Sequence, residues 1–188
     1  MWGALLIVAA VLVAGCTTVD GEAGAAAPSG IELPPRPRDV QIDGVDPCSL
    51  LTVEQRAALG LDGRVVFDSA PVAVYNGAEV PLCAIRGFKP RAIAIGLSVV
   101  TSAGMELYTS GELAAEVRPV DVRGFPAVVA VPARFAEYCT VIVDVARGQL
   151  LDVQFRDGGR KPPIPQDQLC RDARQAAEAA MTTLLALR

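Results

Sequence analysis

Hydrophobic and polar positions divide this chain into an apolar leader, a polar connecting segment and a patterned region. The first 15 residues contain no charge and no proline, and the run ends in two small residues before Cys16. From 17 to 45 the chain is rich in Gly, Ala, Pro and acidic residues and has hardly any large apolar ones, so it cannot bury enough surface to offset the entropy of ordering. Beyond it, apolar residues recur with the periods of strands and helices. We therefore predict a leader at 1–15, a disordered tether at 16–45 and one domain at 46–188.

Alternating apolar positions predict β-strands through the middle of the domain. In the run 91–101, bulky residues share one face and small residues share the other, which is typical of a strand with one buried face. The bulky set is Ile93, Ile95, Leu97 and Val99. Strands are also expected at 83–86, 116–122 and 127–131. Glycines interrupt the stretch after 101, where we expect only a helical turn at 112–115.

The segment 138–155 predicts a β-hairpin whose register follows from its apolar faces. A two-residue loop would pair Val143 with Asp152 and turn the two apolar faces apart, because a shift of one residue moves every side chain to the other face. A three-residue loop at 146–148 pairs Val143 with Leu151 and Val141 with Val153, and it places a glycine at the left-handed position of such loops. We expect the second register.

Helix signals occur at both ends of the domain. Thr52 and Gln55 form a capping box and Gly60 offers a left-handed stop, so a short helix is expected at 53–59. A long helix is expected from Pro165 to the end, with an apolar stripe at steps of three and four. The stripe comprises Leu169, Ala173, Ala176, Ala180, Leu184 and Leu187. The predicted fold is α+β: an antiparallel sheet of about five to seven strands with a short N-terminal helix and a long C-terminal helix packed on one face.

The residues around Cys16 carry the localisation signal. Val13-Ala14-Gly15-Cys16 resembles a bacterial lipobox, in which the cysteine is acylated and becomes the new N-terminus. Multiple acyl chains hold a protein stably at a membrane, whereas a spanning helix needs about 20 apolar residues and this run has 15. The leader lacks the usual Lys or Arg, so we expect the natural start to lie upstream. The expected location is extracytoplasmic, with the protein anchored to the cell membrane through lipid on Cys16.

Four cysteines remain, and an even number in an oxidising compartment predicts two disulfides. A four-thiolate metal site is disfavoured, because no pair has the two-to-four-residue spacing of zinc knuckles. Of the three possible pairings, we expect Cys48 with Cys83 and Cys139 with Cys170. Loop entropy differs by only a few tenths of a kcal/mol among them, so packing must decide. Cys139 shares the parity of the core-facing Val141, and Cys170 begins the helix that must cover that face.

The composition disfavours most kinds of catalysis. The chain has no histidine, which excludes Ser-His-Asp and Cys-His nucleophile systems and His-ligated metals. It has no Gly-rich phosphate loop, and neither Lys89 nor Lys161 follows a serine by three residues. Carboxylates that could form a glycosidase pair are Glu106, Glu112, Glu116, Asp144 and Asp152. The last two alternate with apolar residues, as on a solvated sheet face, so we expect no enzyme, no cofactor and no metal site.

The net charge of −4 argues against nucleic acid, whose binding depends on Lys and Arg neutralising phosphates. It also argues against adhesion of the folded domain to anionic lipid headgroups. The partners expected are therefore the membrane, through acyl chains on Cys16, and a protein of the cell envelope.

The opening of the domain resembles a known family. Asp46-Pro47-Cys48-Ser49-Leu50-Leu51-Thr52, followed by a short helix, is similar to the opening of an actinobacterial family of secreted lipoproteins, domain of unknown function 3558. The resemblance continues through Cys83, Cys139 and the Gly124-Phe125-Pro126-Ala127 turn to the terminal helix. It departs at Ile85, where relatives often carry Trp. The family has no assigned activity, so the resemblance implies location and architecture but no mechanism.

Two functions of different class are consistent with these features. The first is a non-catalytic interaction module of the cell envelope. The alternative is a carrier of a small apolar ligand held between sheet and helix. An exposed apolar patch would favour the module. An enclosed cavity lined by Ile93, Leu97, Val141 and Leu184 would favour the carrier.

Overall fold

The computed structural model of the protein describes residues 30–134 and 137–188. Their strands are β1 (Val65–Val72), β2 (Ala78–Gly87), β3 (Ile93–Val100), β4 (Ala115–Val122), β5 (Phe125–Pro132), β6 (Tyr138–Ala146) and β7 (Gln149–Asp157). Their helices are α1 (Val53–Ala58), α2 (Glu106–Thr109) and α3 (Gln166–Leu187), with 3₁₀ turns at Pro47–Ser49 and Ala73–Tyr75. The predicted leader, Cys16 and the first part of the predicted tether lie outside the described residues.

The seven strands form one sheet in the order β1-β2-β3-β7-β6-β5-β4, and every neighbouring pair is antiparallel. The predicted antiparallel sheet and the long C-terminal helix are confirmed. The central strand is β7, which lies fourth in the order of seven, and β3 pairs with it antiparallel along the whole of Ile93–Val100. One end of the sheet therefore contains the β6–β7 turn, and the opposite end contains the β2–β3 turn and the exit of β7 towards α3.

One face of the sheet and the buried stripe of α3 belong to a single hydrophobic core. The bulky residues predicted to share a face of β3 all lie in this core. From α3 come Leu169, Ala173, Ala176, Ala180 and Leu184. Alanines leave room for the backbone of α3 beside β6 and β7, the strands that it contacts. Leu187 was expected on the same stripe but is 58% exposed in the final turn of the helix.

The β6–β7 hairpin has the register predicted from its apolar faces. Val141 pairs with Val153, and Val143 pairs with Leu151. The glycine of the turn has a φ of 71°, the left-handed conformation that the loop requires. The predicted three-residue loop is wrong, because Ala146 pairs with Gln149 and only residues 147 and 148 form the turn. Val145 is left out of the ladder as a bulge, which preserves the predicted register.

The capping signals around α1 are present as predicted. The backbone N–H of Gln55 donates to Thr52 Oγ1 (3.2 Å), and the backbone N–H of Thr52 donates to Gln55 Oε1 (2.8 Å). Gly60 follows the helix with a φ of 73°. These reciprocal bonds explain why so short a helix has a defined start.

The second face of the sheet is covered at the end where the β6–β7 turn lies. There the 3₁₀ turn at Ala73–Tyr75 and helix α2 bury Tyr75 and Tyr108 against the sheet. The helical turn predicted at 112–115 is wrong, because the helix forms at Glu106–Thr109, where Tyr108 can enter this second cluster. Towards the other end the central strands carry small, half-buried residues such as Ala94 and Gly96.

Residues 30–45 differ from the disordered tether that the sequence predicts. Val40 and Ile42 are each 1% exposed and belong to the main core. The N–H of Val40 donates to the carbonyl of Val145 (2.7 Å), and Arg36 forms an ion pair with Asp144 (2.6 Å). The sequence did not reveal this packing, because residues 30–45 contain few large apolar side chains. Most of the surface that is buried there belongs to the sheet. The packed domain therefore includes residues well before the boundary predicted at 46.

Candidate functional site

Two disulfides join the helical segments to the sheet. Cys48 is bonded to Cys83 (S–S 2.16 Å) and Cys139 to Cys170 (S–S 2.11 Å), so the predicted pairing is confirmed. The first joins the 3₁₀ turn before α1 to β2, and the second joins β6 to the first turns of α3. Because disulfides persist in oxidising compartments, the pairing indicates an oxidising, extracytoplasmic environment. Cys16, the predicted lipidation site, lies outside the described residues.

The prediction that Asp144 and Asp152 lie on a solvated sheet face is wrong. Asp144 is buried beneath residues 30–45, which we call the N-terminal segment, and it forms an ion pair with Arg36. Burial raises the pKa of Asp144, and the bond from Arg36 opposes that rise. Asp152 is half-buried and has a different partner, Tyr75. Of the other candidate carboxylates, Glu116 lies beside Arg118 on β4, while Glu106 begins α2 and Glu112 follows it.

A Tyr–Tyr–Asp network fixes the cover of the second face. The Tyr75 hydroxyl donates to Asp152 Oδ2 (2.6 Å) and lies 2.8 Å from the Tyr108 hydroxyl. Since Tyr75 gives its single proton to Asp152, Tyr108 is the donor in the other bond. Burial raises the pKa of Asp152 to about 6 against the opposing bond from Tyr75, and burial also raises the pKa of both tyrosines. These groups satisfy one another, so we assign the network a structural role.

A cleft of about 1120 Å³ opens at the opposite end of the sheet. Its walls are the end of β2 with the start of β3 and the loop between β7 and α3. Four cationic residues line it: Arg86, Arg156, Arg160 and Lys161. We call it the basic cleft. Its volume is slightly above the range of ordinary ligand sites, which run from about 300 to 1,000 Å³.

Asp157 shapes the loop that forms one wall of the basic cleft. Its Oδ1 accepts from the N–H groups of Gly159 (2.7 Å) and Arg160 (3.0 Å), and its Oδ2 accepts from Ile164 (2.6 Å). Burial alone would raise the pKa of Asp157, but these bonds outweigh it and hold the pKa below its usual value. At Gly158 a Cβ would lie 2.6 Å from a carbonyl carbon just before β3. The loop therefore lies tightly against the start of β3.

The basic cleft has the opposite charge to the chain as a whole. Its four cations face two acids, Glu137 and Asp157, although the chain carries a net charge of −4. Both oxygens of Asp157 are engaged by backbone N–H groups. Within residues 30–134 and 137–188, Arg86, Arg156 and Lys161 take part in no ion pair. Their charges are therefore available to a ligand.

An apolar groove of about 310 Å³ adjoins the basic cleft. We call it the side groove, and it is lined by Arg64, Val66, Ala84, Arg86 and Phe88. Phe88 is 62% exposed and lines both depressions. Val66 lies on β1, an edge strand of the sheet. Exposed apolar surface and unpaired cations thus meet at one corner of the molecule.

The core between the sheet and α3 is filled where the carrier hypothesis requires a cavity. Leu97, Val141 and Leu184 each have 0% of their surface accessible. A cavity large enough for a water molecule would leave accessible surface on the side chains that line it. Ile93, the fourth residue named for that cavity, is 3% exposed and borders the basic cleft instead. No water-sized chamber therefore adjoins the three fully buried side chains.

Sequence reasoning did not identify the basic cleft. Arg86 and Arg156 are distant in the chain and come together only through the pairing of β2 and β7 with β3. Lys161 enters the sequence analysis only as a lysine that does not follow a serine by three residues. The one local signal was Phe88, a large apolar side chain within the turn sequence Gly87-Phe88-Lys89-Pro90.

The described ranges offer no obvious metal centre and no membrane span. Nowhere in residues 30–134 and 137–188 do three or more Cys, His, Asp or Glu residues cluster so as to hold a metal ion. The helices in these ranges also lack the combined length and hydropathy needed to cross a bilayer.

Comparison with curated proteins gives no match, and comparison with solved structures gives none either. A family model described as a protein of unknown function (DUF3558) matches residues 11–183, which is nearly the whole chain. The match covers both disulfides and the whole seven-stranded sheet. The chain therefore belongs to the DUF3558 family of proteins of unknown function.

Proposed function

We propose that this protein is a non-catalytic binding module of the cell envelope, anchored to the membrane by lipid on Cys16, which holds a partner in its basic cleft. The observation that carries the proposal is the position of the cleft. It is open and cationic, and it lies at the end of the sheet opposite to the N-terminal segment.

The N-terminal segment is attached at the end of the sheet that contains the β6–β7 turn. The N–H of Ile31 donates to the carbonyl of Thr109 at the end of α2 (2.9 Å), and Val40 bonds to Val145 beside the turn. From there β7 runs nine residues to the basic cleft, a length of roughly 30 Å. Lipid on Cys16 would therefore attach to the domain from the end of the sheet farther from the basic cleft.

The contacts of the ionisable groups support binding without catalysis. A general acid or base must have a pKa near the working pH and be free to reach a substrate proton. Asp152 has a suitable pKa of about 6, but its carboxylate is engaged by Tyr75 in the network on the second face. Asp144 is engaged by Arg36 and Asp157 by loop N–H groups. The basic cleft itself presents arginine guanidinium groups, whose planar forks of N–H donors suit the binding of anions.

Position-specific cross-linking in cells tests this function. Benzoylphenylalanine replaces Phe88 in the full chain, and the same group at Val53, which is 66% exposed on α1, is the matched control. We expect a cross-linked envelope component at position 88 in the membrane fraction and none at position 53. When the protein is purified without ultraviolet light, the same component should be recovered with it at the mass that it has before binding.

The anchor is tested with the same cells. Cys16→Ala should move the protein to the soluble fraction and abolish the adduct at position 88. Equal adducts at both positions, or a component recovered chemically altered, would contradict a binding module. Retention of the Cys16→Ala protein in salt-washed membranes with its leader uncleaved would contradict lipid anchoring.

A further inference from the structure

We infer that the basic cleft and the side groove together bind an acidic, partly apolar peptide segment of a partner protein. This inference rests on the proposed function and names the chemistry of its partner. It depends on the distribution of charge, on the exposed apolar side chains and on the position of both depressions in the fold.

The cations are spread over separate walls of the cleft. Arg86 and Arg156 flank Ala94 in one row across three strands, so their Cα atoms lie roughly 10 Å apart. Arg160 and Lys161 belong to the loop on the other wall, and Arg64 continues the positive surface into the side groove. A single small anion would engage part of this set. A chain carrying several carboxylates can engage both walls at once.

The apolar surface calls for more than charge in the ligand. Phe88 is 62% and Val66 is 43% exposed, and both line the side groove beside Arg86. Prolines of the β7–α3 loop add rigid apolar surface to the basic cleft. Large exposed apolar side chains bordered by charge are typical of protein-binding surfaces. The ligand should therefore carry leucine-like side chains between its acids.

The edge of the sheet favours an extended polypeptide over a compact ligand. β1 is an edge strand that begins at the side groove, and its first residues, Val65-Val66-Phe67, carry no charge or proline. Charges and prolines protect edges from pairing, and β1 acquires them only farther along, at Asp68 and Pro71, whereas the opposite edge, β4, includes Glu116, Arg118 and Pro119. An added strand could therefore pair with the first three residues of β1, while its acidic neighbours reach the basic cleft.

Binding of defined peptides to the full chain in detergent micelles tests the inference. The probe is a fluorescent peptide of repeated Glu-Leu-Ser triplets, compared with Gln-Leu-Ser and Lys-Leu-Ser peptides of equal length. Arg86→Gln and Arg156→Gln remove cleft charges at exposed positions, and Phe88→Ser removes the apolar contact. Arg147→Gln makes the same charge change at the exposed turn at the opposite end, so it is the matched control.

We expect the Glu-Leu-Ser peptide to bind more tightly than both other peptides and to weaken as ionic strength rises. Arg86→Gln and Arg156→Gln should each weaken binding of the Glu-Leu-Ser peptide by about tenfold, as loss of a close charge pair does. Phe88→Ser should also weaken it, while Arg147→Gln leaves it unchanged. Equal binding of the three peptides, or equal weakening by Arg147→Gln, would overturn the inference.

Dodecyl phosphate and inorganic phosphate separate the inference from the function on which it rests. If a phosphate probe binds with the same dependence on Arg156 and the acidic peptide does not, the peptide inference fails and the cleft remains a binding site. If no probe binds, the inference also fails. The proposed function is then decided by cross-linking at Phe88 alone.

Discussion

Arg86 and Arg156 lie on either side of Ala94 in one row across three strands, and both line the basic cleft. In the described part of the chain neither has an acidic partner. Like charges held close together do not help a chain fold. Their placement is therefore better explained by a ligand than by the stability of the fold.

The first prediction separates these two explanations. Arg156→Gln should change the free energy of unfolding by no more than about 0.5 kcal/mol, measured by urea denaturation, because it breaks no ion pair. Arg91→Gln is the contrasting change, since Arg91 pairs with the buried Asp172 (3.1 Å) and its loss should destabilise by about 1–3 kcal/mol. Marked destabilisation by Arg156→Gln would mean that this arginine has a structural role.

The second prediction concerns the Tyr–Tyr–Asp network. Tyr75→Phe removes the donor to Asp152 and should lower the free energy of unfolding by about 1–3 kcal/mol. Tyr108→Phe leaves the bond between Tyr75 and Asp152 in place, so its effect should be smaller. Thermal unfolding of both variants measures the difference. Equal effects would show that the carboxylate contributes nothing to the network.

The third prediction is a pH dependence due to Asp152. Its pKa is about 6 in the folded protein, against about 4 for an unfolded aspartate, so the folded state binds the proton more tightly. This contribution to stability is complete below pH 4 and is lost as the pH rises through 6, and its size is at most about 3 kcal/mol. Asp152→Asn keeps an acceptor for Tyr75 and cannot titrate.

Unfolding curves at pH 4 to 7 compare this variant with the natural protein. The natural protein should lose stability relative to Asp152→Asn across that range. Parallel curves would contradict the assignment. Asp144 has a raised pKa as well, but it is present in both proteins and therefore cancels in the comparison.

The fourth prediction tests the packing of the N-terminal segment. Ile42→Ala should destabilise the domain by about 2–5 kcal/mol, the usual cost of emptying a filled core position. Val53→Ala, at an exposed position, should have little effect. Denaturant unfolding measures the stability of both variants. If Ile42→Ala and Val53→Ala both leave the free energy of unfolding unchanged, residues 30–45 behave as the tether that the sequence predicts.

Local patterns predicted the elements whose stability is local or whose faces differ clearly. The capping box at Thr52 follows from short-range chemistry, and the register of Val141 with Val153 and the pairing of Cys139 with Cys170 follow from side-chain parity. β1 was missed because it is mostly exposed and has no alternating pattern. The covered position of Asp152 was missed because its cover comes from the distant 3₁₀ turn and α2.

The candidate site depends almost entirely on long-range pairing. Arg86 reaches Arg156 through Ala94 only once β3 has paired with both β2 and β7. Three separate segments would have to be aligned correctly before the row of charges appeared. Pairing between distant strands does not alter the apolar periodicity of any single segment, so the sequence pattern does not reveal it.

Hydrogen exchange on the lipidated full chain, bound to vesicles, tests most directly whether the basic cleft is the binding site. With the Glu-Leu-Ser peptide added, exchange should slow at the N–H groups of Gly159, Arg160 and Ile164 and at the β2–β3 turn. It should stay unchanged at Val40 and at the β6–β7 turn, which lie at the end nearer the anchor. Slowing confined to that end, or no slowing around the cleft at a saturating peptide concentration, would contradict the account.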